Sequence, residues 1–172
     1  MLEFLRPNRK NLESSRGITM KNLNPEYVRT IGAMTNFCPY FELLSMSIVE
    51  LHMGNSLLEI DLENRHLQPF GVVHGGVFAS IIDAACFWAV FPEVAEHDGM
   101  TTVDLKLNYL APAARGKLIA RGRRIKLGRT LGLADAVVTD QDDKILAHGT
   151  STLMVMPDLS FDSEHRLPPK FL

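Results

Sequence analysis

Asp83 is the only acidic residue in the run QPFGVVHGGVFASIIDAACFWAV, Gln68 to Val90, whose other members are mostly apolar or small. An ionised carboxylate in apolar surroundings is costly unless it is paired, solvated or neutralised, so its presence calls for a reason. A carboxylate kept in a desolvated pocket is also a better base than one in water. Nine positions upstream, His74 is followed by two glycines, Gly75 and Gly76. A helix beginning at Gly75 leaves the N–H groups of Gly75, Gly76 and Val77 among its unpaired donors, at the positive end of the macrodipole, where an oxyanion can sit. The glycines also let a ligand carbonyl approach the backbone with no Cβ in the way. Asp83 falls about two turns further along, too far to act on the same carbonyl within one chain. A site at an interface between two copies resolves the distance, because the partner's helix presents its own carboxylate.

The elements that must position these residues follow from periodicity. From Gly75 to about Val90 the chain is apolar nearly all round, the pattern of a helix enclosed by protein. Upstream, Asn24 is placed as an N-cap with Pro25 at the first helical position, and Val28, Ile31, Met34 and Thr35 form a helical stripe that ends near Cys38-Pro39. FELLSMSIVELHMGNSLLEIDL reads as two strands turning between His52 and Asn55. After Pro92 the period changes to two: Val103, Leu105, Leu107 and Tyr109 alternate with Asp104, Lys106 and Asn108, predicting a strand buried on one face. Three further strands are expected around 117–127, 130–140 and 144–155. The order is helix, two strands, one long buried helix, then a meander of four strands, an α+β arrangement of one antiparallel sheet packed on a helix. Such a sheet leaves its outer face and edges uncovered, so dimerisation through the sheet is expected. Residues 1–23 read as an N-terminal arm, 24–156 as the domain, and 157–172 as a Pro-rich tail, loose or docked.

With 172 residues the chain fits one domain and needs no disulfides. Its 18 basic and 20 acidic residues give a net charge of -2, which provides no global attraction to nucleic acid or to anionic membranes. Cys38 and Cys86 lie in no CxxC or His/Cys cluster, and the six histidines form no short pair, so no metal site is expected. Residues 1–20 lack an apolar signal core and no run reaches about 18 consecutive apolar residues, which makes a cytoplasmic location the expectation.

Taken together, Gln68, His74-Gly75-Gly76 and Asp83, followed by TTVDLKLNYLAPA and LGRT, resemble the hotdog-fold acyl-CoA thioesterases of the PaaI type. The resemblance runs from about Asn24 to Met156. It implies an antiparallel sheet wrapped around a long central helix, paired into a homodimer with two interfacial sites and often into a homotetramer. It also implies hydrolysis of an acyl-CoA to free acid and coenzyme A, with coenzyme A present as part of the substrate and no metal or redox cofactor. Carried across by position, Asp83 is the nucleophile or the general base for water. The Gly75 amide polarises the carbonyl, Gln68 helps to hold the thioester or the attacking water, and His74 supports the carbonyl or the leaving thiolate. Thr101 or Thr102, with Thr102 favoured by the strand alignment, orients the carboxylate or the water from the second subunit. The pairing of Gln68 with Asp83 mixes features of two subgroups, one of which carries Glu at that helical position.

The chemistry suits a thioester, whose electrophilic carbonyl and good leaving group need one carboxylate and an oxyanion donor rather than a Ser-His-Asp triad. Ser80 lies on a similar helical face to Asp83, but no glycine-flanked nucleophile turn surrounds it. Gly76 and one of the two threonines are expected at the substrate. Lys126 and Arg129 flank Gly128 and could hold the phosphates of coenzyme A, although charged turn residues are usually just solvated. Two rival readings share the fold: a hotdog enoyl-CoA hydratase, which needs a paired catalytic histidine and acid, and a non-catalytic acyl-CoA binding or sensing protein.

Overall fold

The computed structural model describes residues 22–161 and 167–172. The arm expected over 1–23 lies almost wholly outside the described residues, as does His165.

A helix, α1, spans Pro25–Asn36, and Asn24 caps it by accepting a hydrogen bond from the Glu26 N–H at 2.9 Å. Its buried face is Tyr27, Ile31 and Thr35, one side chain per turn. A second helix, α2, follows at Pro39–Leu43, with Cys38 extended before it and Pro39 at its first position. The sequence pattern had assigned Phe41–Leu43 to a strand. Proline fixes a helical φ and lacks the N–H that a first turn would leave unpaired, which starts a helix here before the strand can begin. Strands β1, Met46–His52, and β2, Asn55–Asp61, then form the expected hairpin, with Gly54 at φ 77° in its turn.

The long helix α3 spans Gly75–Val90 and buries Val77, Phe78, Ile81, Ile82, Ala85, Cys86, Trp88, Ala89 and Val90. The stretch Gly75–Glu93 has the length and hydropathy of a membrane span, but in this fold it is the core helix, with 61% of its apolar window buried. Burial pushes the Cys86 thiol up to about 12, consistent with a small core hydrophobe rather than a reactive group.

The remaining strands are β3, Gly99–Tyr109; β4, Lys117–Leu127; β5, Leu131–Thr139; and β6, Ile145–Met156. They complete a six-stranded antiparallel sheet in the order β1-β2-β4-β5-β6-β3. The last four strands therefore do not make a simple meander. Both edges of β4 are taken, by β2 and β5, so β3 pairs instead with β6 at the far edge, and residues 110–116 carry the chain back across the end of the sheet. The sheet curls closely around α3. Ser56 on β2 donates to the Ala85 carbonyl at 2.7 Å, and a Cβ on the neighbouring Gly122 would overlap that carbonyl, so only glycine fits there.

The tail docks over residues 167–172. Leu23 bridges Phe171, the Asn24 N–H donates to the Lys170 carbonyl at 2.9 Å, and the Lys170 side chain is 1% exposed. Its Nζ donates to the carbonyls of Phe91 and Val94, both at 2.7 Å, and lies 4.2 Å from the Phe91 ring centroid. Those carbonyls follow the end of α3, where a cation complements the helix dipole.

Candidate active site

Asp83 sits midway along α3 at the wall of an open, largely apolar cavity of about 380 Å³. Ser80, Ala84, Phe87 and Trp88 of α3 line it with Tyr40 and Phe41 of α2, Met46 of β1 and Leu105 of β3. Thr102 Oγ1 donates to Asp83 Oδ1 at 2.7 Å. Desolvation raises the Asp83 pKa above the ordinary carboxylate value, and the bond from Thr102 partly opposes that rise. The carboxylate is thus oriented, half-buried and more basic than a surface aspartate.

Thr102 reaches Asp83 because β3 is bulged between Thr102 and Asp104. Thr102 pairs with Leu153 and Leu105 with Ser151, both on the face of β6 that covers α3, and Val103 is the extra residue. Val103 is accordingly 52% exposed instead of buried as strict alternation predicts. Thr102 and the Asp83 it orients belong to the same chain, so both come to a shared site from one subunit. One expectation is corrected here. Thr101 lies exposed on the opposite side of β3, paired with Met154, and takes no part in this cluster.

The start of α3 is built by the segment before it. Leu67 bridges Val73, and a turn closed by the Gly71 N–H to the Gln68 carbonyl at 2.8 Å brings the chain back toward the helix. Gln68 Oε1 accepts from the Phe70 N–H at 2.9 Å, which fixes the side chain against its own loop and leaves its amide nitrogen as the group available to donate. His74 Nδ1 accepts from the Gly76 N–H at 2.9 Å, and the His74 carbonyl accepts from the Val77 N–H at 2.9 Å. Of the three amides expected to be open, two are therefore occupied. His74 is the helix N-cap and Gly76 spends its donor on that cap; because His74 Nδ1 accepts, Nε2 is the imidazole's N–H donor. The Gly75 N–H has no acceptor among the described residues. Its carbonyl accepts from the Tyr109 hydroxyl at 3.2 Å, and a Cβ placed on Gly75 would lie 3.1 Å from that oxygen.

Gly75 and Asp83 face different cavities. Gly75 lines a second one of about 380 Å³ with Val73, Phe78, Tyr109, Leu110, Ala111 and Pro112. Eight residues of helix separate them, about 12 Å along the axis. Ser80 Oγ donates to the Gly76 carbonyl at 2.9 Å and shares a 2.7 Å hydrogen bond with the Tyr40 hydroxyl; among the described residues no histidine hydrogen-bonds to it, which counts against the triad reading. Lys126 and Arg129 are exposed around the β4–β5 turn, two strands removed from β3 in the sheet, and make no ion pair among the described residues. No group of three metal-ligating side chains occurs among the described residues. Sequence reasoning missed Tyr40, which closes over Ser80. The signal was present as Cys38-Pro39 followed by Glu42, a helix start. Tyr109, read from sequence only as a residue on the buried face of a strand, is 57% exposed, and its hydroxyl reaches the Gly75 carbonyl.

A long helix wrapped by one antiparallel sheet, with an oriented carboxylate on the helix, defines a hotdog-fold protein of the thioester hydrolase class. The family model described as Thioesterase superfamily matches residues 70–147. A Caenorhabditis elegans protein provisionally named an esterase is 30% identical over 145 residues, covering 81% of this chain and 84% of its own. Human acyl-coenzyme A thioesterase 13 is 25% identical over 136 residues, covering 77% of this chain and 96% of its own. Among solved structures, a thioesterase from Haemophilus influenzae superposes with a TM-score of 0.71 at 23% identity, covering 80% of this chain and 94% of that one. Zebra fish thioesterase superfamily member 2 superposes at 0.66 with 22% identity, covering 74% and 96%. The chain belongs to the thioesterase superfamily.

Proposed function

We propose that this protein hydrolyses an acyl-CoA thioester to the free acid and coenzyme A, as a PaaI-type thioesterase in the cytoplasm. The observation that carries the reading is Asp83: a carboxylate with a raised pKa, held by Thr102 at the wall of an apolar cavity. As general base it takes a proton from water, whose oxygen attacks the thioester carbonyl carbon. The Gly75 N–H stabilises the resulting oxyanion, and collapse expels the thiolate, which recovers a proton from the Asp83 carboxyl. As nucleophile the carboxylate instead forms a mixed anhydride that water then opens. One turnover in 18O-enriched water tests the second route, because label in Asp83 requires an anhydride opened by water at the aspartyl carbonyl carbon.

The separation of Gly75 from Asp83 within one chain favours a homodimer in which each copy supplies one of them to a shared site. β3 is an open sheet edge, and the outer sheet face exposes Leu131 at 49%, paired with Met154 at 38%, a basis for dimers pairing further into a homotetramer. In this reading the Gln68 amide can donate to the thioester or the water, and Lys126 and Arg129 are reserved for the coenzyme A phosphates of a neighbouring copy. The deciding experiment is thiol release from short, medium, long and aromatic acyl-CoAs by the intact protein and by Asp83→Ala. Release lost in the variant with the oligomer intact supports the proposal. Stoichiometric acyl-CoA binding with no release replaces it with a binding protein.

A further inference from the structure

We propose that Phe87 sets the length of the acyl group this enzyme accepts, restricting it to short-chain or compact acyl thioesters; this rests on the thioesterase reading above. Phe87 is one helical turn beyond Asp83 on the same face of α3, about 6 Å along the axis. It lines the Asp83 cavity, and it is also part of the wall of a separate apolar cavity of about 160 Å³ formed with Phe91, Gly99, Met100, Leu159, Ser160 and Phe161. Among the described residues no other lines both. The two spaces succeed each other between α3 and β3: Leu105 faces the first, the Asp83–Thr102 bond crosses between helix and strand, and Met100 and Gly99 face the second. Phe87 is the partition between them.

The partition is fixed. The Phe87 ring stacks on Phe91 with centroids 5.5 Å apart and meets Trp88 edge-on at 5.3 Å, and Phe161 packs edge-on against Phe91 at 5.4 Å. Moving Phe87 aside would break contacts in a packed aromatic cluster, and such pairs add to the burial of the rings themselves. An acyl group whose carbonyl sits at Asp83 has the small side chain of Ala84 beside it and then meets the Phe87 ring. The chamber behind that ring is apolar and unused by short substrates.

The test is the profile of kcat/KM against acyl length, from butanoyl- to hexadecanoyl-CoA plus benzoyl-CoA, for wild type, Phe87→Ala and Phe87→Leu. Wild type is expected to favour the short and compact members. Phe87→Ala joins the two chambers and raises kcat/KM for dodecanoyl-CoA relative to butanoyl-CoA by about tenfold or more, the scale on which pocket contacts discriminate chain length. Phe87→Leu, which keeps most of the core volume, moves the profile the same way by less and decides the matter if the alanine variant does not fold. A folded variant with an unshifted profile, or a wild type that already prefers long chains, overturns the partition while leaving the thioesterase reading standing. A wild type that releases thiol from no acyl-CoA overturns both.

Discussion

Thr102 of β3 donates to the carboxylate of Asp83 on α3 at 2.7 Å, inside a single chain. The bond crosses from the sheet edge to the core helix and fixes which oxygen of Asp83 stays free for substrate. Its removal in Thr102→Val should leave the fold intact and raise the Asp83 pKa further, since only desolvation would then act. The acid limb of the kcat/KM profile is expected to move to higher pH, with kcat at neutral pH reduced. An unmoved acid limb would show that another group titrates in that limb.

Asp83 should also limit stability. Burial raises its folded pKa above the unfolded value, so the folded chain holds the proton more tightly between the two values. Stability therefore falls as pH rises through that window, and the full cost is present above the folded pKa. Asp83→Asn is expected to melt higher than wild type at pH 7, by about 2–4 °C for each kcal/mol recovered in a chain of this size. The gain should shrink as pH falls through that window and vanish well below the ordinary aspartate value of about 3.9, where both states are protonated, while turnover falls by about 10²–10⁴. Calorimetry across pH on the two proteins decides it.

Gly75 can lose its N–H without losing its helix. Proline is tolerated at a first helical position, and His74 before it is already extended, at φ -65° and ψ 138°, as a residue preceding proline must be. Gly75→Pro should lower kcat by about 10²–10³, the value of one oxyanion donor, and Gly75→Ala, which crowds Tyr109 equally but keeps the amide, should lose much less. Mixing inactive Gly75→Pro and Asp83→Ala chains by unfolding and refolding should restore about a quarter of wild-type activity in a twofold dimer with shared sites. No recovery on mixing would place both groups of each site in one subunit.

His74 separates capping from catalysis. His74→Asn keeps an N-cap acceptor and should retain both stability and most activity, whereas His74→Ala should cost about 1 kcal/mol by denaturant unfolding. A large loss of kcat in His74→Asn at unchanged stability would return the histidine to the chemistry.

Lys170 ties the tail to the end of α3. Lys170→Met keeps much of the apolar stem but removes the charged donor to the Phe91 and Val94 carbonyls, and should destabilise the fold by about 1.5–3 kcal/mol in urea titration. A smaller change would mean that water satisfies those carbonyls when the lysine is gone.

The sequence alone determined the parts whose signals are local. The N-cap at Asn24, the all-round apolar run of α3 ending before Pro92, and the turn at Gly54 depend on neighbours within a few residues, and each appears where periodicity and capping put it. The oddity of Asp83 was equally plain, because a lone acid among apolar residues is visible without any fold. Only the tertiary structure decided the rest. β3 pairs with β6 because β4 had no free edge, a competition for hydrogen bonds between strands distant in sequence. The bulge at Val103 exists only in the register of that pairing, and it alone turns Thr102 toward Asp83. Whether His74 offers a side chain to substrate or spends it on a backbone amide is likewise a matter of a few tenths of an ångström, which three-dimensional packing sets and spacing along the chain does not.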